Sequence, residues 1–533
     1  MRDLEQVKNI YRVFDGLPYR DRQAETVQKI LDAPGKVVAL CAPTGSGKSL
    51  IGMVAGEVLR HETDKHDKAR FAYLVSSKQL QDQIIGDFPE ALAMKGRANY
   101  PCGMYEKLRA DECTHTETHK CEMKYHCPYE VQKRKVLASP RQILNYHYFL
   151  TEANYVGRFS DYPFIVSDEG DMVENLLSNF VGLSFTRRDL NSLLISPPEY
   201  KTAAEGRGVD DWLQWTGRQF MPKVSDQIEI VEDQLNNEQP GSDRYLMLNR
   251  RLKKLNNLLE KARILKGNVD TEWILETMKD GDDALRWTFQ PTWLTNKLAN
   301  TYFWHHGQKF LLMSATFPPV QVLAKTLGLQ PGDITRLEMG STFPTANRPV
   351  ILNPVANLSY KTYAEEIDQT LKEIDRLMEK HKDEKGIIHT VSYKLTDDVM
   401  KLGNWRLVTH NTENRQDVLD DFIASKEPLV LVSPSFTRGL DLPDDLCRFI
   451  IMPKAPFLSL SSKLTSARLW GSGLGSLWYR SMCAQEIVQA SGRGVRHDKD
   501  WATTYLLDRQ IYKLVVDEQR LFPRYWLDAV DVA

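Results

Sequence analysis

No stretch of this chain approaches 18 uncharged apolar residues, and its first ten residues, M-R-D-L-E-Q-V-K-N-I, lack the apolar core of a secretion signal. The first absence excludes a hydrophobic transmembrane helix, and the second predicts a cytoplasmic protein with no membrane partner. Cysteine is scarce, at seven in 533 residues. That odd number argues for thiols, ligands or packed side chains and against a disulfide framework. Net charge is nearly absent too, at -2, so a nucleic-acid site would have to be a local basic groove and not a property of the whole surface. What is present is ordinary for a globular protein, 42% hydrophobic and 26% charged, and long enough for three or four folding units.

The run K-V-V-A-L-C at residues 36–41 is apolar and β-branched, as a buried parallel strand is, and A-P-T-G-S-G-K-S follows at 42–49 before a helical stretch at 50–59. Strand, glycine-rich turn and helix in that order make a phosphate-binding loop. Thr44, Gly45, Ser46 and Gly47 would turn backbone N–H groups toward ATP, Lys48 would reach its β and γ oxygens, and Ser49 would hold Mg2+. A second apolar strand, in Y-P-F-I-V-S-D-E-G-D at 162–171, ends in two carboxylates. At a strand C-terminus beside that loop, Asp168 would hold Mg2+ through water and Glu169 would orient or deprotonate the attacking water. Far downstream, Gln489, Arg493 and Arg496 are spaced by four and three residues, which predicts one helix face carrying two guanidiniums. Presented across a cleft, such planar forks match the oxygens of a γ-phosphate.

Four of the seven cysteines, Cys102, Cys113, Cys121 and Cys127, are spaced C-x10-C-x7-C-x5-C. The absence of a C-x2-4-C knuckle disfavours a zinc ribbon, while thiolate-only ligation at wide spacing suits an iron–sulfur cluster. A zinc site joined by His115, His119 or His126, or thiols with no metal, are the alternatives. Cys447 and Cys483, far from this group, read as packed thiols. Between residues 183 and 285, Val224, Ile228, Val231 and Leu235 and then Leu248, Leu252, Leu255 and Leu259 recur at helical spacing around the turn N-N-E-Q-P-G-S-D, an αα-hairpin. Its first helix is acidic (Asp226, Glu229, Glu232, Asp233) and its second basic (Arg250, Arg251, Lys253, Lys254, Lys261, Arg263, Lys266). Interhelical charge pairing with solvated faces, or contact with a DNA backbone, would account for that split. A strand at 310–317 ends in S-A-T, and after Pro344 the α/β pattern restarts with a helix at 363–380 and strands at 386–392, 428–432 and 448–452.

These motifs, with L-Q-D-Q-I at 80–84, K-G-R-A-N-Y-P-C at 95–102, C-P-Y at 127–129 and I-L-N-Y-H at 143–147, resemble the iron–sulfur helicases of superfamily two, the XPD and DinG group, and DinG more than XPD. The resemblance spans nearly the whole chain in the family's order. It implies an α/β fold: two RecA-like parallel-sheet domains with an iron–sulfur insertion and an α-helical arch-like insertion. The first motor domain would occupy residues 1–95, 151–182 and 286–320, the cysteine insertion 96–150, the arch 183–285, and the second motor domain 321–533. A four-iron four-sulfur cluster would sit on Cys102, Cys113, Cys121 and Cys127, and Gln23 in P-Y-R-D-R-Q would read adenine. Ser314 and Thr316 would tie nucleotide closure to DNA grip, while Gly439, Asp441 and Gln489 would complete the nucleotide site.

The chain departs from the family at D-E-G-D, where Gly170 and Asp171 replace the alanine and histidine of D-E-A-H, and at Thr437 and Arg438, which stand where an aromatic and an acid are usual. The family's histidine links the nucleotide site to the other motor half, so its loss bears on coupling more than on hydrolysis. The implied activity is that of a monomeric ATP-dependent helicase moving 5′ to 3′ on single-stranded DNA and opening forked duplexes. A nucleic-acid-binding remodeller without unwinding, and a redox-responsive DNA-binding switch, are the alternatives. No exonuclease domain precedes the phosphate loop, so nuclease activity is not expected.

Overall fold

A computed structural model describes residues 3–63, 69–113, 121–197, 208–268, 272–280, 284–411, 413–434 and 442–532. The first α/β pattern supplies β1 (Val37–Cys41), β2 (Phe71–Val75), β3 (Leu92–Met94), β4 (Arg141–Asn145) and β5 (Tyr162–Asp168). An insertion then contributes β6 (Leu183–Thr186), β7 (Trp273–Asp280) and β8 (Ala284–Pro291), after which β9 (Gly307–Ser314) and β10 (Ile334–Glu338) return to the first sheet. That sheet has seven strands in the order β10-β1-β9-β5-β2-β4-β3, paired in parallel throughout. Helices cover both of its faces, and so β1 and β2 are apolar without alternation. Val37, Ala39 and Cys41 pack on one side of the sheet, Val38 and Leu40 on the other. Because β1, β9 and β5 are neighbours, the phosphate loop, the S-A-T turn and the D-E-G-D turn emerge side by side at one edge.

The second sheet is built the same way from β11 (Val350–Ala356), β12 (Gly386–His389), β13 (Leu407–Thr409), β14 (Val430–Ser433), β15 (Phe449–Met452), β16 (Thr503–Asp508) and β17 (Val530–Val532). Its seven strands are also all parallel, in the order β13-β14-β12-β15-β16-β11-β17. The chain is thus α/β with two RecA-like sheets. The helix Tyr363–Lys380 forms over the expected span. β12 stops three residues short of 392, because the Ser392 side chain caps the next helix by accepting from the Leu395 N–H.

The region expected to be wholly helical is not. Its helices Met221–Asn236 and Asp243–Gly267 do form the hairpin, burying Val224, Ile228 and Val231 on one helix and Leu248, Leu255 and Leu259 on the other. They stand, however, on an antiparallel sheet, β6-β8-β7, whose last strand runs beyond residue 285. Phe185, Trp212, Trp215, Phe220, Trp287 and Phe289 pack together there, with ring centroids 5.0–6.3 Å from Phe185. The basic helix also spends its charge differently from the expectation of interhelical pairing. Arg250 reaches Glu112 at 3.2 Å, Lys253 reaches Asp111 at 3.3 Å and Lys254 pairs with Asp189, while the Asn249 amide donates to the Glu112 carbonyl at 3.1 Å. The hairpin is therefore docked on the cysteine insertion.

The two motor halves also meet away from the nucleotide edge. Arg468 of the second half is buried between Trp293 and Trp478, 4.9 and 5.3 Å from their ring centroids. It donates to the Thr292 carbonyl and to Glu174, both at 2.6 Å. No helix among the described residues is long and apolar enough to cross a membrane.

Candidate functional site

β1 delivers the chain at Cys41 into a loop whose Gly45 and Gly47 have φ of +76° and +77°, a region that favours glycine. The helix Lys48–Thr63 starts directly after it. The Lys48 ammonium donates to the loop's own carbonyls, Ala42 at 3.2 Å and Pro43 at 3.0 Å. Burial pushes its pKa down to about 8, against the pull of Asp168, and the positive charge of Arg496 adds to the depression. Gln23 lies on the same loop: its amide donates to the Ser46 carbonyl at 2.9 Å and its Oε1 accepts from the Arg20 N–H at 2.8 Å. Arg20 in turn donates to the Gly45 carbonyl at 2.8 Å. Residues 20–23 thus brace the phosphate loop.

Asp168 ends β5 and is buried, which raises its carboxyl pKa against the pull of Lys48. It accepts from the Tyr73 hydroxyl at 2.8 Å, and that hydroxyl also hydrogen-bonds Ser49. Tyr73 therefore joins the two oxygen donors expected to hold Mg2+. Sequence reasoning missed it, since a tyrosine in a buried strand reads as core. A hydroxyl and a carboxylate are hard oxygen ligands, and they fit Mg2+. Glu169 takes a left-handed conformation at φ +50°, which turns its side chain to the Ser76 hydroxyl, from which it accepts. Burial raises its pKa, with Ser76 opposing, Asp168 and Asp171 adding to the rise, and Arg493 opposing.

The two departures in D-E-G-D have separate physical reasons. A Cβ at Gly170 would stand 2.7 Å from the Leu312 Cβ and 2.9 Å from its Cα, so β9 leaves no room for the family's alanine. Asp171 accepts from the Ser314 hydroxyl at 2.7 Å and from the Gln489 amide at 2.9 Å. One carboxylate thereby joins the S-A-T turn to the second motor half. Two further side chains of that half reach the same turn: Gln485 donates to the Thr316 carbonyl at 3.4 Å and Tyr525 to the Ala315 carbonyl at 3.0 Å. Gln485 stands one helical turn before Gln489, a spacing that could have exposed it.

Arg493 and Arg496 are not on the helix that carries Gln489. That helix is Gly475–Ser491, capped at Gly492, and both arginines lie in the turn beyond it. The turn presses on the phosphate loop all the same. A Cβ at Gly45 would lie 2.6 Å from the Arg496 carbonyl, and one at Gly492 would lie 3.1 Å from the Thr44 hydroxyl. Asp500, fully buried, holds the turn by accepting from the Arg496 N–H at 2.9 Å and from Arg448 at 2.8 Å. Asp444, His497 and Asp500 stand close enough to share an ion. With Asp500 bonded to a guanidinium and His497 bonded to Asp444 at 2.9 Å, however, hydrogen bonding accounts for that group. Gly439 and Asp441, with Thr437 and Arg438, fall outside the described residues.

The four cysteines lie between β3 and β4, and none of them is in a disulfide. The Cys102 N–H bonds the Leu108 carbonyl at 2.9 Å, Cys113 follows the turn Ala110–Glu112, and Cys127 opens the helix Pro128–Ala138. A Cβ at Gly103 would come 4.0 Å from the Cys127 Cα. Cys113 and Cys102 add to the burial that raises Tyr245, on the basic helix, to about 12. Tyr129 of C-P-Y anchors the insertion: its hydroxyl bonds Glu152 at 2.8 Å and Tyr148 at 3.1 Å, and Glu152 pairs with Lys133 at 2.5 Å. The four thiols are free and half-buried, and thiolate is the ligand chemistry that an iron–sulfur group takes. His126 is described; His115 and His119 are not.

Residues 20–189 match the family profile of the DEAD/DEAH box helicases, and residues 370–527 that of the helicase C-terminal domain. The ATP-dependent DNA helicase DinG of Photobacterium profundum is 25% identical over 288 residues, 50% of this chain and 41% of that protein. The ATP-dependent DNA helicase CHL1 of Saccharomyces cerevisiae is 26% identical over 137 residues, 22% of this chain and 16% of that one. The chain thus matches less than half the length of either relative. Among solved structures, an XPD helicase superposes with a TM-score of 0.60 at 14% identity, covering 97% of this chain and all of that one. S. tokodaii Xpd4 superposes with 0.56 at 15% identity, covering 96% of this chain. The chain thus carries a DEAD/DEAH box helicase domain followed by a helicase C-terminal domain, on a fold shared with XPD and with a sequence similar to DinG, the XPD/DinG-like pattern of helicase superfamily two.

Proposed function

We propose that this protein is an ATP-dependent DNA helicase that moves 5′ to 3′ on single-stranded DNA and opens forked duplexes. The observation that carries the reading is the double role of Asp171, which accepts from Ser314 in one motor half and from Gln489 in the other beside the Asp168–Glu169 pair. A hydrolytic site whose second turn is bonded across the cleft couples chemistry to domain movement. Lys48 leaves the loop carbonyls for the β and γ oxygens of ATP, and Glu169, held by Ser76, orients or deprotonates the attacking water. Arg493 and Arg496 reach the γ-phosphate from the second half, so closure is favoured while ATP is intact and released after hydrolysis. Ser49 and Asp168 would hold Mg2+, which supplies charge neutralisation at the phosphates. Gln23, with Thr44 and Ser46, completes the nucleotide contacts, joined by Gly439 and Asp441.

Cys102, Cys113, Cys121 and Cys127 would hold a four-iron four-sulfur cluster, which supplies a rigid cross-link of four loop points near the strand-separation wedge. The polarity rests on the family resemblance. ATP-dependent separation of forked duplexes carrying only a 5′ or only a 3′ tail tests the proposal. Opening of the 5′-tailed substrate is expected; opening confined to the 3′-tailed one overturns the polarity. No opening of either with intact DNA-stimulated ATPase replaces the helicase by a remodeller.

A further inference from the structure

Four histidines among the described residues are buried, His306, His381, His389 and His410, and three of them are bonded at both ring nitrogens. His306 reaches Ser160 at 2.9 Å and Asn154 at 3.2 Å, His381 reaches Glu384 at 2.6 Å and Tyr505 at 2.9 Å, and His410 reaches the Asn411 carbonyl at 2.9 Å and Ser433 at 2.7 Å. His389 is bonded at neither. It is 1% exposed, so its nitrogens are closed off from solvent, and a buried polar group without a partner destabilises the fold. A leucine would fill the same place without that cost.

Strand alternation shows what the ring faces. In β12, Ile388 packs on one side of the sheet with Tyr363 and Leu377, while Ile387 packs on the other with Leu431, Leu442, Cys447 and Ile450. His389, two residues on from Ile387, returns to the Ile387 side. The turn that carries Arg493 and Arg496 lies against that side too, since a Cβ at Gly494 would stand 3.1 Å from the Cys447 carbonyl and 3.7 Å from its Sγ. Burial pushes the His389 pKa down to about 3, and the charge of Arg493 adds to the fall. The imidazole is therefore neutral, with one nitrogen able to accept. The same arginine acts on Glu169 of the first half, where it opposes the rise in pKa that burial causes. Arg493 thus stands between a carboxylate of the cleft and an unmet acceptor behind it.

We propose that His389 is a positioning residue for Arg493: its ring accepts a hydrogen bond from one edge of the guanidinium while the other edge forks onto the γ-phosphate of ATP. This rests on the reading above that Arg493 reaches the γ-phosphate, and adds the group that aims it. A guanidinium holds five N–H donors in a rigid plane, so it can meet a phosphate and a ring nitrogen together. The bond is not made in the present arrangement, so making it on closure favours the closed state over the open one.

The test is steady-state ATP turnover with saturating single-stranded DNA, read beside the melting temperature and the affinity for a fluorescent ADP analogue. His389→Leu should lower kcat about tenfold with KM for ATP little changed, the loss of one charged hydrogen bond made only when the γ-phosphate is engaged. Its Tm should rise by about 2–4 °C, because an apolar group replaces a buried unmet one, and ADP affinity should be unaltered. His389→Gln, whose side-chain oxygen can accept in place of the ring nitrogen, should recover most of the rate. In an Arg493→Ala background, His389→Leu should not lower the residual turnover further. With Arg493→Ala impaired, a His389→Leu variant of parental or higher kcat, or one whose loss of rate comes with a lower Tm and weaker ADP binding, overturns this inference alone. Parental turnover in Arg493→Ala overturns the role of Arg493 at the γ-phosphate and this inference with it.

Discussion

Replacing Asp171 by Ala removes the acceptor of two hydrogen bonds, at 2.7 Å from Ser314 and 2.9 Å from Gln489. A hydrogen bond to a charged group contributes about 1.5–3 kcal/mol, and because Asp171 is half-buried, water recovers part of it and the lower figure applies. Only the Gln489 bond crosses between the motor halves. The closed arrangement should therefore lose about 1.5 kcal/mol, or roughly tenfold, while the Ser314 bond is lost within the first half. Asp171→Asn should cost only a few-fold, since its amide oxygen accepts from one partner and its N–H2 can donate to the other once Ser314 or Gln489 reorients. The assay is steady-state ATP turnover with saturating single-stranded DNA for Asp171→Ala, Gln489→Ala and the pair. The singles should each fall about tenfold, and the double should fall little further, a coupling of about 1–2 kcal/mol. Singles that add independently, or an Asp171→Ala variant with parental stimulated turnover, refute the assignment.

Lys48→Ala and Glu169→Gln should abolish turnover and Arg496→Ala should cost on the order of 10^3; a near-parental rate for Arg496→Ala removes its role as an arginine finger. With the Lys48 pKa held down to about 8 by burial, bound phosphates should raise it, so ATP binding takes up a proton at pH values above 8 and weakens as pH rises. Calorimetry at pH 8.5 in buffers of different ionisation enthalpy measures that uptake, and proton release would refute it. Serine in place of any one of Cys102, Cys113, Cys121 or Cys127 should bleach broad visible absorption and lower bound iron and acid-labile sulfide in anaerobically purified protein. Unwinding should suffer more than basal ATPase, and stoichiometric zinc without sulfide in the parent protein would replace the cluster by a zinc site.

The phosphate loop and the D-E-G-D carboxylates are legible because their signals are local: glycines fixed by φ, and an apolar strand running into charge. The arginine turn is half legible. Spacings of four and three residues suggest one helix face, but Gly492 ends the helix before Arg493, and the arginines reach the cleft from a turn instead. Position along the chain carries the reading where helical geometry does not. Tyr73 is hidden by its burial, since an aromatic in a strand is usually core and nothing nearby in sequence marks its bond to Asp168. The destination of the basic helix is beyond local reading, because Arg250 and Glu112 are 138 residues apart. The antiparallel β6-β8-β7 sheet escapes for the same reason, its first strand lying far from its partners in sequence.

Taken by itself the D-E-G-D change suggests weakened coupling, and the geometry points the other way. Gly170 and Asp171 act as a pair: close approach of Leu312 brings β9 against the turn, and the turn then sets Asp171 between Ser314 and Gln489. A histidine at 171 has two ring nitrogens, and when neutral only one of them accepts. It could accept from one of Ser314 and Gln489 and would have to donate to the other, which must then reorient, whereas the carboxylate accepts from both at once. Restoring the family's alanine and histidine together would push a methyl group to within 2.7 Å of Leu312 and force Ser314 or Gln489 to turn an acceptor toward the ring. In this chain the substitution most like the family is therefore expected to couple the motor halves less well than the residues it replaces.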